Sequence, residues 1–299
     1  MEELLDFLLA NLYILLRYLS LLTVSILLTL FFLTYLTRFQ IESDLLKPNY
    51  RGEKIPAAGG LVFVAVLPFT VGFGFLFAVN SYVTVQAVLF LIVILGMGLA
   101  GLMDDCFGSH AVKGFKGHLK ALLKEGKMTT GCFKAIFGGM IALVFSTANS
   151  RLTSFQPNPW LVALDFMLVG LAANIINLFD LRPGRAGKVF LISFCAVFLV
   201  SNMNFEKFIG LFLPVLVILL IYLPRDLKSE LMLGDVGSNL LGAVLGMMMV
   251  WMLNVFGKII ALIICLALQL AAEKVSFSEL IEKYGPLRYL DQLGRDQDD

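Results

Sequence analysis

The sequence predicts an all-α, polytopic integral membrane protein of about nine transmembrane helices, with its N-terminus outside, its C-terminus inside and an amphipathic C-terminal helix on the inner membrane surface. Three observations predict it. Of the 299 residues, 59% are hydrophobic and the mean hydropathy is +0.88, while only 15% are charged, against about 25% in a soluble domain. Apolar runs of spanning length fall near 12–37, 57–79, 82–103, 131–149, 159–179, 188–203, 208–223, 238–256 and 258–274. The charges are also sorted: of the 23 Lys and Arg residues, all but Arg17, Arg151, Lys207 and Lys258 fall on one side when the N-terminus is outside, which is the positive-inside pattern.

The N-terminal run follows Glu2, Glu3 and Asp6 rather than a basic segment and is too long for a signal peptide, so it is expected to stay as the first helix. The four cysteines, Cys106, Cys132, Cys195 and Cys265, have no paired spacing, which argues for free thiols rather than disulfides or zinc. No repeat or low-complexity stretch interrupts the chain. We read one transmembrane domain over 1–299, with 273–299 as its cytosolic tail.

Taken in order, the first cytosolic loop, LLKPNYRGEKIPAAGG, is stiffened by Pro48 and Pro56, and Gly59 and Gly60 allow close approach of a neighbour or ligand. Arg51 and Lys54 bring positive charge to it. The third apolar run ends in Asp104 and Asp105, then turns into a segment bearing Lys113, Lys116 and Lys120. Carboxylates are costly at membrane depth, so a pair at its edge faces water, a partner or an ion; the competing structural role is a helix cap. The fifth run ends in AANIINLFD, which sets Asn174, Asn177 and Asp180 within one arc of about 120°. Asparagine there is either substrate-facing or interhelical glue. Asp165, about 22 Å earlier along the same helix, belongs to the far end.

The next turn, LRPGRAGK, carries Arg182, Arg185 and Lys188 with two glycines and suits phosphate oxygens, unless it serves topology alone. In LMLGDVGSNLLGAVLG, Asp235 precedes an apolar helix opening with Ser238 and Asn239, as a ligand or as an N-cap. Gly242 and Gly246 read as helix packing. The tail from Glu273 carries Val275, Phe277, Leu280, Ile281, Tyr284 and Leu287 at near-helical spacing, as an interfacial helix does.

Together, KPNYRGEKIPAAGG, GLMDDCFGSHAVKGFKGHLK, NIINLFD and LMLGDVGS resemble, in order and topology, the polyprenyl-phosphate N-acetylhexosamine-1-phosphate transferases, the family of MraY-type, WecA-like and TagO-like enzymes. The resemblance covers roughly 45–245. It implies transfer of a sugar 1-phosphate from a UDP-sugar to a membrane polyprenyl phosphate with release of UMP, dependence on Mg²⁺, and a place in the plasma membrane with the active site facing the cytosol. It implies catalytic roles for Asp104, Asp105 and Asp180, and metal binding by Asp235 with Asp105. Substrate contacts are then expected from Asn174, Asn177, Ser238, Arg51, Lys54, Lys113, Lys116, Lys120, Arg182, Arg185, Lys188 and His118. No nucleic-acid partner is expected, and a homodimer is allowed for.

The chain departs from the MraY-type pattern in two places: LRPGRAGK replaces a Gly- and Asp-containing run, and the histidine cluster and tenth helix of that type are missing. His110 and His118 are the only histidines. The basic turn implies that donor grip shifts from the base to the diphosphate. An inactive or repurposed family member, as a polyprenyl-diphosphate hydrolase or a regulatory partner, is the alternative; a transporter is a third, disfavoured because carriers place their polar sites at the midplane. The topology is tested by cysteine labelling: a probe at Ser278 should react from the cytosolic side, and reaction from outside alone would overturn it.

Overall fold

The computed structural model describes residues 2–76, 81–108, 124, 126–201 and 208–295. Nine long helices run through it: α1 (Glu2–Glu42), α2 (Leu61–Phe75), α3 (Ser81–Phe107), α4 (Thr130–Thr153), α5 (Pro159–Phe179), α6 (Arg185–Val200), α7 (Ile209–Leu227), α8 (Gly234–Met252) and α9 (Val255–Ala272). The chain is an all-α polytopic membrane protein. Among the described residues seven of these helices are long and apolar enough to cross a membrane. The difference from nine lies in α2 and α6. At 15 and 16 residues they reach about 22–24 Å at 1.5 Å per residue, short of a hydrocarbon core of about 30 Å.

Local chemistry sets the helix starts. Thr129, Asn158 and Asn254 cap α4, α5 and α9 by accepting from the backbone N–H of Cys132 (3.2 Å), Trp160 (3.0 Å) and Gly257 (2.8 Å). The Asn254 cap also puts the α8–α9 break earlier than the hydropathy pattern places it, because apolar residues continue on both sides of the cap. On α1, Leu21, Ser25, Thr29 and Leu33 are buried at four-residue steps, the face laid against α2 and α7. The hydroxyls of Ser25 and Thr29 donate to carbonyls one turn back, at 2.7 and 2.6 Å, so neither needs an interhelical partner.

The centre of the bundle is α8, buried along nearly its whole length. A helix surrounded on every side needs close neighbours, and glycines provide them. A β-carbon at Gly242 would overlap the Ala172 carbonyl of α5, one at Gly246 would press on Val169 Cα at 2.6 Å, and one at Gly101 of α3 would overlap the Asp235 backbone. The expected packing role of the Gly242 and Gly246 spacing is what the structure shows.

The loop after α1 folds into a short antiparallel hairpin, β1 (Leu46–Pro48) with β2 (Lys54–Pro56), pairing Lys47 with Ile55. Asn49 Oδ1 closes its turn by accepting from the N–H of Arg51 (2.9 Å) and Glu53 (3.0 Å). Beyond β2, Gly59 N–H and Gly60 N–H donate to Met232 O (2.8 Å) and Leu233 O (2.9 Å). The neighbour that Gly59 and Gly60 admit is thus the start of α8: a β-carbon on Gly60 would overlap the backbone of Gly237.

The tail is two short helices, α10 (Phe277–Lys283) and α11 (Gly285–Gln292), rather than one. Pro286 lacks an N–H and sits in the first turn of α11, so the helical hydrogen bonding of α10 does not run through it.

Because Gly60 meets backbone on the opposing side, Gly60→Ala forces the α2 and α8 starts apart. The expected cost is about 1–3 kcal/mol, read as a lower midpoint of thermal unfolding in detergent; an unchanged midpoint would show that the contact relaxes freely.

Candidate functional site

One end of the bundle gathers the C-terminal ends of α3, α5 and α7 around the N-terminal end of α8. Each of the three C-terminal ends carries carboxylates: Asp104 and Asp105 in the last turn of α3, Asp180 as the residue capping α5, and Asp226 in the last turn of α7. The helix macrodipole makes such ends negative, so acids there are unfavourable by about 0.3–1 kcal/mol each. The opposite mismatch occurs near the starts of α4 and α6: Lys134 lies just past the first turn of α4, and Arg185 and Lys188 lie in the first turn of α6. Helix stability alone would place these charges the other way round, which points to a ligand or to long-range ion pairs.

Asp105 is buried, and it caps α8 from another helix: its Oδ2 accepts from Val236 N–H at 3.0 Å. Its Oδ1 lies 3.5 Å from Lys47 Nζ. The close approach requires Gly234, which has a positive φ of 72° and where a β-carbon would lie 2.6 Å from Asp105 Oδ2. Asp235, read from sequence as ligand or N-cap, does not cap; the N-cap residue of α8 is Leu233, which has no side-chain cap bond of its own. Its carboxylate instead meets Lys134 Nζ at 2.7 Å, and the same ammonium lies 3.3 Å from Asp104 Oδ2.

Asn177 joins this group. Turned so that its nitrogen faces Asp235, its amide donates to Asp235 Oδ1 (2.7 Å) and Ser238 Oγ (2.9 Å) and accepts from Lys134 Nζ (3.1 Å). Asn174, placed on the same stripe by its spacing, serves the other role the sequence allows: its amide donates to Gln269 Oε1 of α9 at 2.6 Å and ties two helices together.

A cavity of about 180 Å³ opens between these elements, lined by Asp105, Asp180, Asp226 and Asp235 with Lys47 and Arg182 at its wall. Burial holds the Asp180 carboxyl well above the ordinary carboxylate range, and the charges of Asp226, Asp235 and Asp105 push it further, against one backbone N–H from Gly234. No Lys or Arg among the described residues forms an ion pair with it. Four oxygen-donor side chains around one cavity fit a hard divalent cation, although no three acids, histidines or cysteines among the described residues form a ready-made ligand shell. That is compatible with Mg²⁺, which takes one or two carboxylates and completes its octahedron with water and substrate phosphate.

The basic residues divide. Arg182 lines the cavity and lies over the Tyr50 ring at 5.0 Å, with Arg51 over the same ring at 5.4 Å. Lys54 is exposed on β2. Arg185, expected at donor phosphates, is instead buried at 3% exposure, its guanidinium bonded to Asp291 and Ser278 of the tail. Lys188 likewise donates to Asp291 O at 2.6 Å. Lys113, Lys116, Lys120 and His118 lie outside the described residues. At the far end of the bundle Asp165 pairs with Lys258 at 2.8 Å, apart from this site.

Three residues at the site escape the sequence reading. Lys134 is a cation inside an apolar run, a signal that was there to use; Lys47 opens the quoted KPNYRG stretch but reads as a topology charge. Asp226 sits in a polar segment after an apolar run and carries no distinguishing pattern.

The family model for glycosyl transferase family 4 matches residues 87–253, more than half of the chain. The chain belongs to glycosyl transferase family 4. The matched stretch contains the acids of α3, α5, α7 and α8 together with Lys134, and leaves out the hairpin and the tail. Two relatives agree. The phospho-N-acetylmuramoyl-pentapeptide-transferase of Petrotoga mobilis (strain DSM 10674 / SJ95) is 26% identical over 257 residues, covering 77% of this chain and 73% of the relative. The enzyme of the same name from Limosilactobacillus fermentum (strain NBRC 3956 / LMG 18251) is 27% identical over 206 residues, 66% of this chain and 60% of the relative.

The crowding of carboxylates at this cavity has a measurable consequence. With its carboxyl raised, Asp180 keeps a proton in the folded chain that the unfolded chain has lost, over the interval from the ordinary value of 3.8 upward. Stability therefore falls as pH rises through that interval. In chelator, Asp180→Asn should flatten the fall in unfolding midpoint between about pH 5 and about pH 8 and raise the midpoint at the upper end. Parallel curves for the two proteins would remove Asp180 as the cause.

Proposed function

We propose that the protein transfers a sugar 1-phosphate from a UDP-sugar to a polyprenyl phosphate, yielding polyprenyl-diphosphate-sugar and UMP, for cell-envelope glycan synthesis on the cytosolic side of the plasma membrane. The observation that carries this reading is the single cavity where carboxylates from three helix C-terminal ends meet the start of α8, beside Lys47 and Arg182. Membership of a transferase family and the relatives' names support it.

The reaction joins an oxygen of the lipid phosphate to the sugar-bearing phosphorus of the donor and breaks that phosphorus's bond to the oxygen of UMP. Several negative charges must be brought together, so neutralisation and alignment matter more than a stronger nucleophile. Asp235 and Asp105 are the proposed holders of Mg²⁺, which when bound supplies positive charge to the phosphates. Lys134, with Asn177 and Ser238 behind it, orients Asp235 and Asp104. Asp104 is more exposed than Asp105, with 20% against 6% of its side chain accessible, and is the proposed acceptor of any proton left on the lipid phosphate. Asp180 closes the cavity from the α5 side.

A cavity of about 180 Å³ is below the usual 300–1,000 Å³ of a small-molecule site, so it suits the diphosphate and its cation rather than the whole donor. Lys47 and Arg182 are the proposed diphosphate contacts, with Arg51 and Lys54 further out; Lys113, Lys116, Lys120 and His118, outside the described residues, are kept as proposed substrate contacts from the sequence. Donor sugar and nucleobase would then be held outside the cavity, in a single transmembrane transferase domain that acts alone or as a homodimer.

Purified protein with polyprenyl phosphate, Mg²⁺ and a panel of nucleotide sugars should release a nucleoside monophosphate. Asp235→Asn should lose that turnover by several orders of magnitude while keeping its elution profile and unfolding midpoint. Full turnover by this variant would rule out the proposed metal role, and absence of any release by the parent protein across the panel would overturn the transferase reading.

A further inference from the structure

The α5–α6 turn brings Asp180 to the cavity, and Leu181, Arg182 and Pro183 of the same turn line it. The turn's free side is covered by the C-terminal segment. Asp291 of α11 grips Arg185 through both carboxylate oxygens, Nε to Oδ1 at 2.7 Å and Nη2 to Oδ2 at 2.9 Å, and Ser278 of α10 accepts from Nη1 at 2.9 Å. Arg295 binds the same carboxylate at 3.0 Å and donates from Nε to Pro183 O at 2.9 Å. Lys188 Nζ holds the carbonyls of Leu290 and Asp291 at 3.2 and 2.6 Å. Below these contacts Phe277 stacks on Phe179, ring centroids 4.9 Å apart and planes 3° from parallel.

Arg185 and Asp291 are nearly inaccessible, with 4% and 9% of their side chains exposed. Removing one partner of such a pair strands the other charge, which is why buried pairs act on conformation more than exposed ones do. Burial alone would raise the Asp291 carboxyl, but the hydrogen bond and charge of Arg185, with Arg295, hold it below its ordinary value. The tail also lies outside the stretch that the family model matches.

We propose that Asp291 is a positioning residue for the transfer site: by clamping Arg185 and Arg295 it fixes the α5–α6 turn, and with it the place of Asp180 in the cavity. The clamp rests on the transferase reading for its effect on turnover, but not for its effect on the turn. Asp180 has one backbone N–H, from Gly234, among the groups that favour its charge, so its place depends on the turn that carries it. Gly184, in the left-handed region at φ 69°, forms the corner between Asp180 and Arg185, and the tail holds that corner through the residues on both sides of it, Pro183 and Arg185.

Two readouts in the full-length chain test this. In the transfer assay, Asp291→Ala should lower kcat at least tenfold with less than a threefold change in the lipid-acceptor KM, and the exchanged pair Arg185→Asp with Asp291→Arg should recover part of that loss. Separately, a spin label at Leu181→Cys, with Cys106 and Cys195 replaced by serine, should give a sharper, more mobile spectrum when Asp291→Ala is added. Parent-like turnover, or loss matched by loss of folded protein, overturns the positioning role. If the parent shows no transfer, the spectrum alone decides: a sharpened line supports the clamp on the turn, and an unchanged one overturns it.

Discussion

Everything at the site depends on the seating of α8 at the centre of the bundle. It is buried on all sides, and its first turn is pressed against α2 and α3 with glycine at Gly60, Gly101, Gly234 and Gly237, where any side chain would meet backbone or a carboxylate. That closeness lets Asp105 of α3 reach the free N–H of Val236 and cap a helix to which it does not belong. The cap does two things at once. It satisfies a buried donor and it fixes a carboxylate beside Asp235, so packing and chemistry are set by the same contact.

Around that seat the charges run against helix preference. Acids stand at the C-terminal ends of α3, α5 and α7, and lysines or arginine at the starts of α4 and α6. The cations of α4 and α6 are spoken for: Lys134 bridges Asp104 and Asp235, and Arg185 is locked to Asp291. Asp180 and Asp226 stand otherwise. Asp180 is buried with like charge nearby, and Asp226, though the charges of Arg295 and Lys188 reach it, is buried with one oxygen that has no hydrogen-bond partner. A cavity carrying such a surplus of negative charge is arranged for something positive to arrive.

The Arg182, Arg185 and Lys188 turn shows how three cations close in sequence separate in space. Arg182 lines the cavity beside the Tyr50 ring and lies 3.8 Å from Glu282 of α10, while Arg185 and Lys188 are bonded into the tail. Arg185 begins α6, and the left-handed Gly184 before it reverses the direction of the chain. The charge of the turn is thus shared between a cavity wall and an internal clamp.

Much of this was legible from the residues alone. Hydropathy and charge sorting determined the membrane class and the positions of the apolar helices, because a helix in lipid must satisfy its own backbone and present apolar side chains over a long run. Adjacent Asp104 and Asp105, the Asn177 and Asp180 spacing, and Asp235 between glycines marked the site, because helical periodicity converts spacing into a shared face. What tertiary structure alone decided was pairing. Whether Arg185 meets a phosphate or Asp291, whether Asn174 faces a substrate or Gln269, and that Lys47, Lys134 and Asp226 converge with the acids all depend on contacts between residues far apart in the chain. Local pattern carries no information about such partners; the close approach of α8 to its neighbours, and the return of the tail onto the α5–α6 turn, select them.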